Sequence, residues 1–516
     1  MERDGQRTSI WQATVKPSTV QIDNHSLSAN NKYDVVIAGA GITGIVTGLL
    51  LQLAGKNVMI AEAHTIGFGT TGGTTAHINT FLDVPYYQIA KNFNEEVATE
   101  VAKAVANALA LIKQNVNQFN INCEYIEQDG YLYAQDEKQE EELQKIIASC
   151  KKVGVEVSSC ENIPVPIKFL SAAKFSGQAS FHPLTYLFHL ADIFSKAGGT
   201  ILEDCRIIDL EENDKTVTVK TSLDKTFIAK DFIYCTHIPP GTNVLHFMSA
   251  PYRSYAMAVK LSDENYPSGL VYDLYNPYHY FRTQEIDGQK YMIAGGEDHK
   301  TGHEENTAKC FENLEKYLRE NFAIERISYK WSSQYFEPAD GLPYIGILPS
   351  YKKHVYTATG YGGNGMMYSH IAAKILTGMI TGKSSGHEDL FNPARVKPIA
   401  SFSNVVKEGA DVTLNLLKTI LPAEKIKGLD EIGNDEAKII NYDGNTIAAY
   451  RDEKGHLYMV NPTCTHLGCT VGWNNEEKSW DCPCHGARYN CKGEVLTGPA
   501  VKDLERYTQA LPVDKQ

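Results

Sequence analysis

Two short boxes near the end of this chain constrain its fold more than any other feature: Cys464-Thr465-His466-Leu467-Gly468-Cys469 and, after twelve intervening residues, Cys482-Pro483-Cys484-His485-Gly486. Of the eleven cysteines, six are scattered between Cys123 and Cys310, while five crowd between Cys464 and Cys491. The scattered six read as ordinary buried thiols of a reducing compartment. The crowded boxes, as C-x-H and C-x-x-H, put two thiolates and two imidazoles on adjacent loops, which is a metal-ligand set. Zinc also takes two cysteines and two histidines, but it leaves Cys469 and Cys484, placed symmetrically in the two boxes, without a purpose.

The front of the chain carries a second pattern. A β-rich run, Tyr33 to Ala38, meets Gly39-Ala40-Gly41-Ile42-Thr43-Gly44 and then an apolar helical stretch to about Ala54. Asn57 to Ala61 is a second strand, ending in Glu62. In such a β-turn-α-β unit the first glycine permits a tight turn, the second lets backbone approach a pyrophosphate, and the third lets helix pack on strand. Glu62 is then placed to accept hydrogen bonds from ribose hydroxyls. A dinucleotide site follows, and the run Val35 to Leu53, broken by glycines and threonines, reads as strand, turn and buried helix rather than a membrane span. One fingerprint of this kind is evident, which disfavours a second, nicotinamide-fed site.

Further along, residues from about Tyr86 to Phe119, Glu137 to Lys152 and Pro183 to Ala197 have helical spacing, and aromatic strands with turns fill Tyr252 to Gly296. With the fingerprint, the Thr70 to His77 loop (TTGGTTAH), SFHP at Ser180, Cys235-Thr236-His237, EPADGLPYIG at Glu337 and ATGYGGNG at Ala358, residues 33–395 resemble the D-amino-acid oxidase-like FAD-dependent oxidoreductases. The resemblance implies FAD, held by Gly39, Gly41, Ile42, Thr43, Gly44 and Glu62, with Thr70, Thr71, Thr75 and His77 from the following loop. It also implies that Gly360, Gly362, Gly363, Asn364, Gly365 and Met366 open a helix toward the pyrimidine edge of the flavin, where the helix dipole favours the reduced anion. His77 falls near the position where some amine-oxidising relatives attach FAD covalently; a non-covalent contact is expected here. Arg282 is expected to present its guanidinium to a substrate carboxylate, with Tyr255, Tyr280 and Tyr361 lining the same pocket. His182 and His237 read as structural rather than as bases.

The two C-terminal boxes resemble those of the Rieske family. That implies a [2Fe-2S] cluster with Cys464 and Cys482 on one iron and His466 and His485 on the other. Cys469 and Cys484 match the loop-bridging disulfide of the Rieske proteins of respiratory cytochrome bc complexes, and Cys491 is left as a free thiol. High-potential members carry Ser after the second box, where this chain has Ala487; it keeps Tyr489, whose hydroxyl can reach a ligand sulfur. A midpoint below that of the respiratory proteins is expected.

The expected architecture is an α/β FAD-binding Rossmann-like domain with an inserted antiparallel-sheet substrate domain, followed by a small all-β Rieske domain. Its divisions are a polar N-terminal extension at 1–32, the FAD domain at 33–395, a helical connector at 396–421 and the Rieske domain at 422–516. The expected function is a dehydrogenase: an amine, amino acid or related C–N substrate reduces the flavin, and electrons pass singly through the cluster to a carrier protein or quinone. The alternatives are an electron-transfer or redox-sensing protein, and a reductase with electrons running from cluster to flavin. A Rieske oxygenase would need a mononuclear iron site after the cluster, and too few residues follow. Asp298-His299 with His303-Glu304 reads instead as a solvated loop. The formal net charge of −13 disfavours nucleic acid and anionic membrane as partners. No signal-peptide pattern opens the chain, so the cytoplasm is its expected address.

Overall fold

The computed structural model describes residues 3–16, 20, 22, 32–304, 306–395, 424–425, 428–442 and 444–507. The connector expected at 396–421 lies outside the described residues.

Strand Lys32–Ala38 sits inside an eight-stranded sheet whose main path runs Tyr344–Ile347, Val355–Thr359, Thr226–Tyr234, Lys32–Ala38, Val58–Ala61, Thr200–Leu202. From Val355–Thr359 onward the pairings are parallel. Parallel strands are covered on both faces, which is why these runs are continuously apolar rather than alternating. The helix Ile42–Leu53 packs between the helices Pro183–Lys196 and Gly365–Thr381 and is buried nearly all round. Its hydrophobicity therefore belongs to a core. No helix among the described residues is long and apolar enough to cross a membrane.

A nine-stranded, mostly antiparallel sheet forms the second layer, its main path running Ile324–Pro338, Ser249–Leu261, Gln289–Lys300, Tyr280–Ile286, Leu270–Asp273, Ile126–Ala134, Ser171–Ser180, His77–Ile78, with Val157–Cys160 pairing with Ser171–Ser180 off that path. Alternation along Ser249–Leu261 turns Tyr255 and Met257 to one core and Ala256 to the other. The C-terminal unit is two four-stranded sheets, Glu424–Lys425 to Leu457–Val460 and Gly472–Asn474 to Val495–Thr497.

The polar N-terminal extension expected at 1–32 is described at residues 3–16, 20, 22 and 32. Its residues 3–14 are folded into the body: Ser9 and Gln12 form a capping box, helix Ile10–Thr14 follows, and Ile10 and Trp11 are fully buried. The Trp11 indole donates to the Thr74 carbonyl at 2.5 Å. The polar residues of this segment find buried partners across the domain interface.

Candidate active site and metal centre

A long cavity runs between the two sheets of the FAD domain. At one end lie Gly39, Gly41, Ile42, Thr43 and Glu62. Gly39 has φ +102°, and a Cβ there would come within 2.5 Å of the Cys235 carbonyl. A Cβ on Gly44 would strike the Gly39 carbonyl oxygen, so Gly44 serves strand–helix contact while Gly41 borders the cavity. Glu62 accepts from the backbone N–H of Ala40 at 2.7 Å and of His64 at 3.0 Å. Burial pushes its carboxyl up, against those two donors, which suits a group waiting for hydroxyl donors. Thr71 Oγ1 accepts from the Ile42 N–H at 3.1 Å.

Thr70, Thr75 and His77 line the middle of the cavity. Thr70–Gly73 is a helical turn rather than the expected open loop, closed by Gly72 N–H donating to the Gly69 carbonyl. His77 Nε2 is buried without a hydrogen-bond partner, and burial first, then Arg282, holds the ring neutral well below its ordinary pKa. Gly362, Gly363, Asn364, Gly365 and Met366 border the cavity at the start of helix Gly365–Thr381, and Gly360, at φ +76°, turns the chain ahead of them. The Gly363 N–H donates to Asp83 Oδ2 at 2.8 Å; Asp83 carried no local signal and was not anticipated.

Tyr280 and Tyr361 line the cavity, whereas Tyr255 and Arg282 are not among its lining residues. Tyr255 points to the opposite face of its strand, where its hydroxyl meets His299 at 2.9 Å and its ring packs on Phe311. Arg282 lies over the Trp11 ring and donates to Thr75 O, Gln284 Oε1 and Phe181 O. Its donors are committed to the protein, so the expected substrate-carboxylate role does not fit. The Asp298-His299 pair is not in a solvated loop either: strand Gln289–Lys300 runs through both residues. Asp298 instead borders the cavity, accepting from the Tyr335 hydroxyl at 2.8 Å. His182 is the N-cap of Pro183–Lys196, its Nδ1 accepting from Thr185 N–H at 3.2 Å. His237 borders the cavity, with Nδ1 3.3 Å from Thr70 Oγ1.

The two cysteine boxes fold alike. Cys464 N–H donates to Cys469 O and Gly468 N–H to Cys464 O; in parallel, Cys482 N–H donates to Ala487 O and Gly486 N–H to Cys482 O. Gly468 and Gly486 both take positive φ, 82° and 73°. These matched loops bring Cys464 and Cys482 together as buried thiols, and Tyr489 Oη lies 3.3 Å from Cys464 Sγ. The sulfurs of Cys469 and Cys484 lie at disulfide distance. Sulfurs of Cys469, Cys482 and Cys484 fall within 4.8 Å of one another, but the first and last engage each other and are not open ligands. The rings of His466 and His485 are 4.9 Å apart, with all four nitrogens buried and without ordinary hydrogen bonds. Two thiols and two orphaned imidazoles are the donor set of a Rieske cluster, and the residues fit it.

The cluster loops face the FAD domain of the same chain. His466 and His485 lie against His246, with ring centroids at 4.6 and 6.1 Å, and Phe247 meets His485 at 5.3 Å. Gln334, a cavity residue, donates from Nε2 to the Gly486 carbonyl at 2.9 Å. Leu496, Thr497 and Gly498 of the Rieske unit border the cavity itself. Between the units lies a buried network of three arginines and three carboxylates. Arg253 pairs with Asp481 (3.5 Å); Arg488 bonds Asp481 (3.1 Å) and Asp4 (3.3 Å); Arg3 pairs with Asp4 (3.1 Å) and Glu477 (3.5 Å).

A flavin-nucleotide cavity joined to a Rieske centre defines a two-cofactor oxidoreductase. The FAD dependent oxidoreductase family model matches residues 34–379, and the Rieske [2Fe-2S] domain model matches residues 424–508. The chain belongs to the FAD dependent oxidoreductase family and carries a C-terminal Rieske domain; its cofactors are FAD and a [2Fe-2S] cluster. It is 33% identical over 483 residues to the putative Rieske 2Fe-2S iron-sulfur protein YhfW of Bacillus subtilis (strain 168), covering 93% of this chain and 94% of that one. It is 20% identical over 380 residues to gamma-glutamylputrescine oxidoreductase of Escherichia coli (strain K12), covering 70% of this chain and 86% of the other. Glycine oxidase from Geobacillus kaustophilus shares the fold of the FAD unit, with a TM-score of 0.59 and 17% identity over 71% of this chain and 100% of that one.

Proposed function

We propose that the chain is a dehydrogenase in which an amine, amino acid or related C–N substrate is oxidised in the FAD cavity, and that electrons leave singly through the Rieske centre of the same chain to an external carrier protein or quinone. The observation that carries this reading is the contact between the units: both histidine ligands rest on the His246 to Phe247 segment, and Gln334 links the cavity to Gly486. When bound, FAD supplies a two-electron acceptor and the cluster a one-electron carrier.

Around these groups the side chains have separate tasks. Glu62 would hold the adenosine ribose hydroxyls of FAD, and the N-terminus of Ile42–Leu53 would take its pyrophosphate. The start of Gly365–Thr381 would serve the pyrimidine edge of the flavin, where its dipole would favour negative charge. A neutral amine can release hydride without a strong protein base, so none of the buried histidines is needed as one. Burial of Cys469 and Cys484 shields their bond from thiols in a reducing cytoplasm.

The test is anaerobic. The protein purified with both cofactors is mixed with amines and amino acids, and flavin absorbance and the reduced-Rieske EPR signal are followed together. Bleaching followed by the EPR signal, at a rate independent of protein concentration, is the expected result. A cluster that fills only from a reduced carrier protein and then reduces the flavin reverses the direction; a rate that rises with protein concentration places the exchange between chains.

A further inference from the structure

The cavity has two ends of different character. Arg206 is the single Lys or Arg among its lining residues, and it stands at the Glu62 end, beside His64 at 3.2 Å. The end beneath the nine-stranded sheet is walled by Tyr272, Tyr278, Tyr280 and Tyr335 and carries two carboxylates, Asp83 and Asp298. Asp298 Oδ2 is taken by the Tyr335 hydroxyl, with Ser254 close by, while its Oδ1 is buried and has no hydrogen-bond partner. Arg282 lies outside the lining, with hydrogen bonds to Thr75 O, Gln284 Oε1 and Phe181 O, and its charge reaches His77 and Tyr272 from there. His279, whose charge Asp298 feels, is also outside the lining and is paired with Asp273 at 2.8 Å and Glu297 at 3.6 Å.

These charges select by sign. A carboxylate entering this end would meet two like charges and no lysine or arginine in the lining, the cations behind it, Arg282 and His279, being engaged by protein groups. An ammonium would meet an unpartnered carboxylate oxygen and the faces of several tyrosines, both of which attract cations. Burial pushes the Asp83 and Asp298 carboxyls up to about 6, and an arriving positive charge offsets the cost of ionising them.

We propose that the substrate end of this cavity binds an amine as its ammonium ion, with Asp298 as counter-ion and as the acceptor of the one proton the ammonium loses before hydride leaves, and discriminates against amines that bear an α-carboxylate. The proposal rests on the amine-oxidising reading above for the identity of the site and narrows its substrate class.

It is tested by binding rather than turnover. The holoenzyme, reduced with dithionite under argon so that no substrate is consumed, is titrated calorimetrically at pH 8 with two matched pairs: n-butylamine against norvaline, and benzylamine against phenylglycine. Each pair differs by one carboxylate. We expect the amine of at least one pair to bind tenfold or more tighter than its amino acid, and Asp298→Asn to abolish that preference. Equal affinities, a preference for the amino acids, or no amine binding overturns the proposal; the wild-type comparison decides even if the variant fails to fold. Bleaching of the oxidised flavin by norvaline, together with amino-acid preference, would sink the substrate class and leave the dehydrogenase reading standing. Tight amine binding with no organic donor able to bleach the flavin would do the reverse.

Discussion

The side-chain amide of Gln334 donates to the carbonyl of Gly486 at 2.9 Å, so that one residue touches both the FAD cavity and the loop that carries His485. The amide is fixed at its other end, where Thr301 Oγ1 donates to Gln334 Oε1 at 3.2 Å. Gln334→Leu removes the donor and leaves a buried carbonyl unsatisfied, a cost of about 1–3 kcal/mol. Slower appearance of the Rieske EPR signal after flavin reduction is expected, with both midpoint potentials unchanged. An unaltered rate in stopped flow would show that Gln334 holds no part of the route.

The interface network makes a stability prediction. Arg253 is fully buried, and Arg253→Leu leaves the carboxylate of Asp481 short of a counter-charge. Breaking one partner of a buried ionic cluster typically costs about 3–5 kcal/mol. Denaturant unfolding of the holoprotein, followed by Rieske circular dichroism, should show that loss, whereas a conservative change at an exposed pair such as Lys103 and Glu100 should cost under about 1 kcal/mol.

Amine binding should depend on pH with a definite sign. The Asp83 and Asp298 carboxyls are raised from 3.8 to about 6 by burial, so the folded chain holds these protons more tightly than the unfolded chain does. Stability from this source is present below pH 3.8 and is lost as pH rises through about 6. Above that value a bound ammonium offsets the loss. Thermal stabilisation by n-butylamine is therefore expected to be larger at pH 8 than at pH 5, and a larger effect at pH 5 would contradict it.

The cluster potential should respond to two neighbouring side chains in opposite directions. Tyr489→Phe deletes the hydroxyl 3.3 Å from Cys464 Sγ and should lower the midpoint, because hydrogen bonds to cluster sulfur stabilise the reduced state. Ala487→Ser adds a donor at a fully buried position and should raise it. Redox titration monitored by EPR reads both.

The meeting of Cys464 with Cys482 and of His466 with His485 was legible because each pair is written in a run of a few residues whose loops fold alike. The glycines and Glu62 were legible for the same reason. Arg282 was not: it shares the strand face of Tyr280, two residues away, but stands outside the cavity lining with its guanidinium over the Trp11 ring, 271 positions earlier in number. The Ser9 to Gln12 capping box was a local sign that residues 3–14 fold, and its polar composition hid that. Asp298 was misplaced because Gly302 and its turn-like surroundings suggest a loop, whereas strand Gln289–Lys300 runs on through a bulge at Gly296 and Glu297, both of positive φ. Asp83 and Gln334 gain their positions from contacts 280 and 152 residues away, which no local pattern encodes.

The network around Asp4 also sets an order of assembly. Asp4 meets Arg488 across 484 residues of chain, and Gln6 meets Glu477 across 471. During synthesis the early segment has left the ribosome long before its counter-charges are made, so Arg3, Asp4 and Arg253 stay hydrated until the Rieske unit emerges. Docking of that unit is the event that seals the N-terminal segment, and a nascent chain stopped short of residue 477 has a FAD domain whose last face is still open to water.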